Sequence, residues 1–165
     1  MFAAMRPFTE RLGHRISQNV LIAAISGCIA WPAAAQCSLQ ETWKRDVIPE
    51  SSRDYATKRV SAGGQYNVTI RPHGDSIPMS KIHSWVLHIE TASGAPVDSA
   101  AICIDGGMPE HGHGLPTRPK MTENLKNGDY LIDGMKFSMR GWWVVKFTVA
   151  TASGTDSVRF NLTLK

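Results

Sequence analysis

Strict alternation of apolar and polar residues, broken at short intervals by turn chemistry, is the feature that most constrains this chain. Tyr66, Val68 and Ile70 point one way while Asn67, Thr69 and Arg71 point the other. Trp85, Leu87 and Ile89 form a second such row, Trp143, Val145, Phe147 and Val149 the clearest, and Val158, Phe160, Leu162 and Leu164 the last. Ala101 to Ile104 makes a short apolar run. A period of two places one face of a strand on a core and the other in water. The breaks, Ala62-Gly63-Gly64, Ser93-Gly94-Ala95-Pro96, Lys126-Asn127-Gly128-Asp129 and Ser153-Gly154-Thr155, supply the positive φ values that tight turns need. Helical periodicity is almost absent. About seven short strands at this spacing predict an all-β fold, a single antiparallel immunoglobulin-like β-sandwich. Tyr130, following Asn127-Gly128-Asp129, resembles a tyrosine corner, whose hydroxyl bonds back to the backbone at one end of a sandwich. Ile132 stands where an antibody domain would place its second cysteine, so the disulfide framework of antibodies is excluded.

The first 35 residues read differently. Arg6, Arg11 and Arg15 precede a 12-residue apolar run from Val20 to Trp31, which is followed by Pro32 and Ala33-Ala34-Ala35. A basic region, a short apolar core and a small-residue cleavage site make a signal peptide. The run is shorter than the ~20 residues a membrane-spanning helix needs. The expected organisation is a signal peptide over 1–35, an N-terminal extension over 36–56 and the β-sandwich domain over 57–165. The mature protein is then periplasmic or secreted, with no membrane span. Ile25-Ser26-Gly27-Cys28 also reads as a lipoprotein site, which would anchor the chain at Cys28; cleavage there would leave an apolar Ile29-Ala30-Trp31 start, which favours cutting after Ala35.

Export changes the charge and the cysteine count. The whole chain has 18 basic and 14 acidic residues. Removing three arginines and one glutamate leaves 15 and 13, a balance of +2. Basic residues are scattered, and nucleic-acid binding, which needs a concentrated basic face, is not expected. Cys37 and Cys103 remain after the signal, an even number in an oxidising compartment, and are candidates for a disulfide. The alternative is an unpaired Cys103 on a strand and a loose Cys37.

One long stretch, Asp105 to Thr122, shows no periodicity and is expected to be an irregular loop of functional importance. It carries four glycines and two prolines between Asp105 and Thr117, and sets among them Met108, Glu110, His111 and His113. His111 and His113, two apart, face one side of an extended segment. Imidazole suits copper and zinc, and a thioether favours the softer Cu(I). Met135, Phe137 and Met139 share a face if Asp129 to Arg140 is one continuous strand, which would bring two more thioethers beside Trp142 and Trp143. His83, on the inward face with Trp85, is a further candidate ligand; His88 has the opposite parity and is expected to be solvated, and His73 is expected to be a turn residue. The structural reading of the same residues stays open: a His-Gly-His turn bonding backbone, methionines filling a core, and one of the two adjacent tryptophans at the surface. Catalysis is not expected. No serine or cysteine stands in a nucleophile motif, and no third protein ligand with a general base completes a zinc hydrolase.

Three blocks carry a family resemblance: His83-Ser84-Trp85, the run from Gly106-Gly107-Met108-Pro109-Glu110-His111-Gly112-His113-Gly114 to Leu115-Pro116-Thr117, and the run from Gly134-Met135 through Met139-Arg140 to Trp142-Trp143. Together they resemble the YtkA-like domain family, related to FixH-like proteins, over roughly Lys58 to Lys165. The resemblance implies a small exported or membrane-tethered immunoglobulin-like sandwich linked to copper handling or to assembly of copper enzymes. Some relatives bear the name auxin-binding protein, for which the residues offer no physical support. FixH-like proteins carry a transmembrane anchor that is not seen here, which weakens a link to membrane oxidases. The combined expectation is a non-enzymatic periplasmic copper-binding carrier. Met108, His111 and His113 hold a copper ion, supported by Met135, Met139 and His83, and the ion passes to or from a periplasmic partner protein. The alternative is an interaction module presenting a rigid Gly/His loop.

Overall fold

A computed structural model describes residues 48–165; the signal, Cys28 and Cys37 lie outside the described residues. Nine strands follow a 3-10 turn at Glu50–Ser52: β1 (Lys58–Val60), β2 (Tyr66–Pro72), β3 (His83–Thr91), β4 (Ala101–Met108), β5 (His113–Gly114), β6 (Lys120–Lys126), β7 (Asp129–Met135), β8 (Gly141–Thr151) and β9 (Gly154–Leu164). One sheet has the order β1-β2-β3-β7-β6 and the other β5-β4-β8-β9, with every pairing antiparallel. This is the β-sandwich that the alternation predicts. Among the described residues no helix is long and apolar enough to cross a membrane.

The expected inward rows are the core. Tyr66, Val68 and Ile70 on β2, Trp85, Leu87 and Ile89 on β3, and Trp143, Val145, Phe147 and Val149 on β8 are all buried in one cluster. On β9 Val158, Phe160 and Leu164 join them, and Leu162 is only partly buried. Full burial of each large apolar side chain is worth about 1.5–3 kcal/mol, so these rows fix the register: a one-residue slip would turn each row outward. The strands beyond the expected seven are the ones that bury least. In β6 the seven residues from Lys120 to Lys126 have only Met121 and Asn124 half-buried, and two register shifts interrupt its pairing. An edge strand of that kind leaves no alternation to read.

Two polar devices lock the ends. The Tyr130 hydroxyl donates to the Val97 carbonyl at 2.6 Å, deep in the protein. The carbonyl lies 33 residues upstream, so this is a long-range tie to the β3–β4 connection and not the local back-bond of the expected tyrosine corner, which reaches only a few residues upstream. Near the other sheet, Asp156 is buried and gathers donors from the β1–β2 turn. Ser61 Oγ donates to its Oδ2 at 2.6 Å, and the backbone N–H groups of Gly63, Gln65 and Ser157 add to the same carboxylate. Burial alone would raise its pKa; the hydrogen bonds from Ser61, Gly63, Ser157 and Gln65 outweigh that and hold the carboxyl below its ordinary value.

The lowered pKa carries a sign. The stabilisation from Asp156 is fully present above the pKa of an unfolded aspartate and is lost as pH falls through the lower folded value. Asp156→Asn replaces one acceptor with a donor facing N–H groups. It is expected to cost on the order of 2 kcal/mol at neutral pH and to flatten the acid limb of stability, both read by urea unfolding across the acidic range.

Candidate functional site

The stretch expected to be an irregular loop is largely a hairpin. β4 runs through Asp105 to Met108 against β8 and then pairs with β5, Gly107 opposite Gly114 and Met108 opposite His113. The Met108 carbonyl closes the turn by accepting from the N–H groups of His111 at 3.0 Å and Gly112 at 2.9 Å. Gly112 sits at φ 69°, a left-handed conformation that side chains disfavour. Gly106 is required for another reason: a Cβ there would meet the Val144 carbonyl oxygen at 2.5 Å. The glycines that hid periodicity are thus what lets β4 continue close to β8.

The hairpin brings the two imidazoles together. The rings of His111 and His113 are 6.0 Å apart and inclined at 30°. His111 is exposed in the turn and His113 half-buried on β5, so their approach comes from the turn and not from an extended two-residue repeat. The His113 ring makes a T-shaped contact with Trp143, 6.1 Å between centroids. Trp143 in turn packs on Phe137 at 5.2 Å, and Phe137 on His83 at 5.7 Å. One row of rings therefore joins all three candidate histidines.

The methionines divide. Met108 and Met135 are fully buried in the main core. Met139 is 39% exposed. Asp129 to Arg140 is not one strand: β7 ends at Met135, just after Gly134 at φ 86°. Phe137 turns inward after that break and Met139 outward. The Met139 carbonyl accepts the indole N–H of Trp143 at 3.0 Å, so Met139 and His113 border the same indole. The adjacent tryptophans, expected to be one buried and one at the surface, are both buried, at 3% and 0% exposure.

His83 pairs in register with Met135. Its Nδ1 lies 3.1 Å from the Lys81 carbonyl, and its Nε2 is buried without a hydrogen-bond partner. His88, expected to be solvated, is half-buried on the other face of the five-stranded sheet. Its Nδ1 is 2.6 Å from Asp129 and its Nε2 3.5 Å from Glu90, with Arg71 and Lys58 completing an ion-pair row. The His88 hydrogen bond leads the effects that hold the Glu90 carboxyl below its ordinary value. His73 is exposed, as expected of a turn residue. Among the described residues no three His, Cys, Asp or Glu side chains gather into a metal-holding group. Cys103 is disulfide-bonded; Cys37, its expected partner, lies outside the described residues.

The residue that sequence reading missed is Arg53. Its guanidinium lies 3.7 Å from the centroid of the Trp142 ring, bonds the Ile48 carbonyl, and pairs with Glu110 at 2.5 Å. Ile48 packs on Trp142 and Val144 to make a second, small core. Asn161 accepts the Trp142 indole N–H and donates to the Asp54 carbonyl. The last part of the N-terminal extension is therefore a strap on the outer face of the four-stranded sheet, and it grips the residue next to His111. The tryptophan pair was the available signal: a second buried indole requires a cover.

A family model, described as YtkA-like, matches residues 63–148, just over half of the chain. The chain belongs to the YtkA-like family. In this YtkA-like protein the match takes in β2 to most of β8, including the whole histidine hairpin, and leaves β9 and the Arg53 strap outside. No curated protein matches the chain. Among solved structures, the ZirS C-terminal domain superposes with a TM-score of 0.34 at 10% identity, covering 70% of this chain and 80% of that one. A superposition that loose bears on neither fold nor function.

Arg53→Ala is expected to loosen the turn without unfolding the sandwich. An ion pair with one exposed partner is worth about 0.2–1 kcal/mol. Amide exchange at His111 and Gly112 should accelerate roughly two- to fivefold, while exchange along β8 stays unchanged.

Proposed function

We propose that this protein is an exported, non-enzymatic copper carrier that holds its ion at the tip of the β4–β5 hairpin. The observation that carries the reading is the pair of imidazoles 6.0 Å apart, one exposed and one half-exposed, on a turn closed by the Met108 carbonyl. Two imidazoles are good copper ligands. A two-residue site at the surface leaves coordination positions open, so a periplasmic partner can take the ion by ligand exchange. Met139, whose backbone carbonyl accepts the indole N–H of Trp143 and whose side chain is exposed, carries the soft thioether that best suits Cu(I). Met108 and Met135 are core residues in this reading, and Met108 serves through its backbone. The basic, apolar and small-residue order of residues 1–35 supports export with cleavage after Ala35. In that compartment thioether and imidazole ligands resist oxidation better than a free thiol.

A second reading is favoured by a separate observation. Two of the three methionines are packed in the core, and the turn is held by the Arg53–Glu110 pair. A rigid hairpin of that kind also suits an interaction module that presents His111 and His113 to a protein partner.

Titration of Cu(I) and Cu(II) separates the two. Relative to the wild type, the His111→Ala/His113→Ala double variant should lose at least the ~10–100-fold in affinity that loss of even an outer-shell partner costs. Met108→Leu should bind as the wild type does. Equal affinity in the wild type and the double variant would leave the module reading.

A further inference from the structure

The structure assigns His83 a role of its own: we infer that its Nε2 anchors a second site for a soft monovalent metal ion, Cu(I) or Ag(I), with Met135 as its thioether partner. The inference shares the metal class of the hairpin reading but not its residues, so each can fail alone.

The argument begins with the proton. The Lys81 carbonyl can only accept, so the Nδ1 that faces it carries the hydrogen. That leaves Nε2 with a lone pair in the neutral ring. Nε2 is buried and bonds nothing, and a buried polar atom without a partner calls for an explanation such as a bound ion or water. A backbone carbonyl on one imidazole nitrogen is also the arrangement that orients a metal-binding histidine through the other.

The surroundings select the ligand. Met135 is directly opposite His83 in the β3–β7 register and fully buried, so its side chain leaves the sheet on the same face. Phe137 and Trp85 flank the imidazole at 5.7 and 6.4 Å between ring centroids. A nitrogen lone pair, a polarisable sulfur and aromatic faces suit a soft cation. Among the described residues no acidic cluster completes the set, so a divalent ion would bring more uncompensated charge than a monovalent one. The rival occupant is a water between His83 Nε2 and the buried, unpartnered indole N–H of Trp85. A buried water makes about two to four hydrogen bonds, so the test must tell the water from the ion. Entry is short: His83 is half-buried and follows the exposed Lys81 and Ile82.

The test is an anaerobic Cu(I) titration of the purified protein against a coloured competing chelator. The His111→Ala/His113→Ala variant should retain one equivalent, and adding His83→Ala should remove it. A wild type that loses its Cu(I) only on His83→Ala would support this site while overturning the hairpin reading. A double variant that binds nothing, or a triple variant that still binds, overturns this site. Should His83→Ala fail to fold, nitrogen-15 NMR of the wild type decides. On addition of Ag(I) the His83 Nε2 resonance should leave the position of an unprotonated nitrogen while Nδ1 keeps its proton. No change at Nε2, with a water found between His83 and Trp85 in an Ag(I)-soaked crystal, overturns the proposal.

Discussion

Burial of the β8 row Trp143, Val145, Phe147 and Val149 is the interaction on which the rest of the molecule depends. β8 lies between β4 and β9 in its sheet, and every residue of that row is at most 1% exposed. With four large side chains each contributing about 1.5–3 kcal/mol, the strand cannot slip or rotate. Its opposite face is fixed by the same alternation, which commits Trp142 and Val144 to the outside of the sheet. An outside that apolar needs covering, and the strap at Ile48 and Arg53 covers it. The grip on Glu110 follows from the same contact, since one guanidinium reaches both the indole and the carboxylate.

Trp143 also organises the end of the sandwich where the histidines gather. Its ring meets those of His113 and Phe137 in T-shaped contacts, and its N–H donates to the Met139 carbonyl. A fully buried indole is a rigid body, so one side chain positions both the β4–β5 hairpin and the segment from Phe137 to Met139. The YtkA-like match covers these segments together, from residue 63 to residue 148. The strap at Ile48 and Arg53 falls outside that stretch.

The methionines show how far pattern reading reaches. Met108, Met135 and Met139 are alike in a sequence, each within two residues of a glycine. Their fates are set by two or three backbone angles. Near Gly134, at positive φ, the inward set switches from Tyr130 and Ile132 to Met135 and Phe137, and β7 ends; Met139 lies beyond the strand and is exposed. Met108 stays inside because β4 runs four residues beyond Ile104, which Gly106 permits.

By itself the sequence determined the fold class, the inward rows and the identity of the histidines worth watching. Each rests on local information: a period of two, a turn dipeptide, a spacing. Tertiary structure alone decided which of those residues meet. The His88 ion-pair row and the Arg53 strap depend on atoms brought together from distant segments, the unpartnered Nε2 of His83 on what the packing leaves around it, and the 6.0 Å approach of His111 to His113 on the path of the turn. Alternation says which face a side chain leaves from, and it is silent on what waits there.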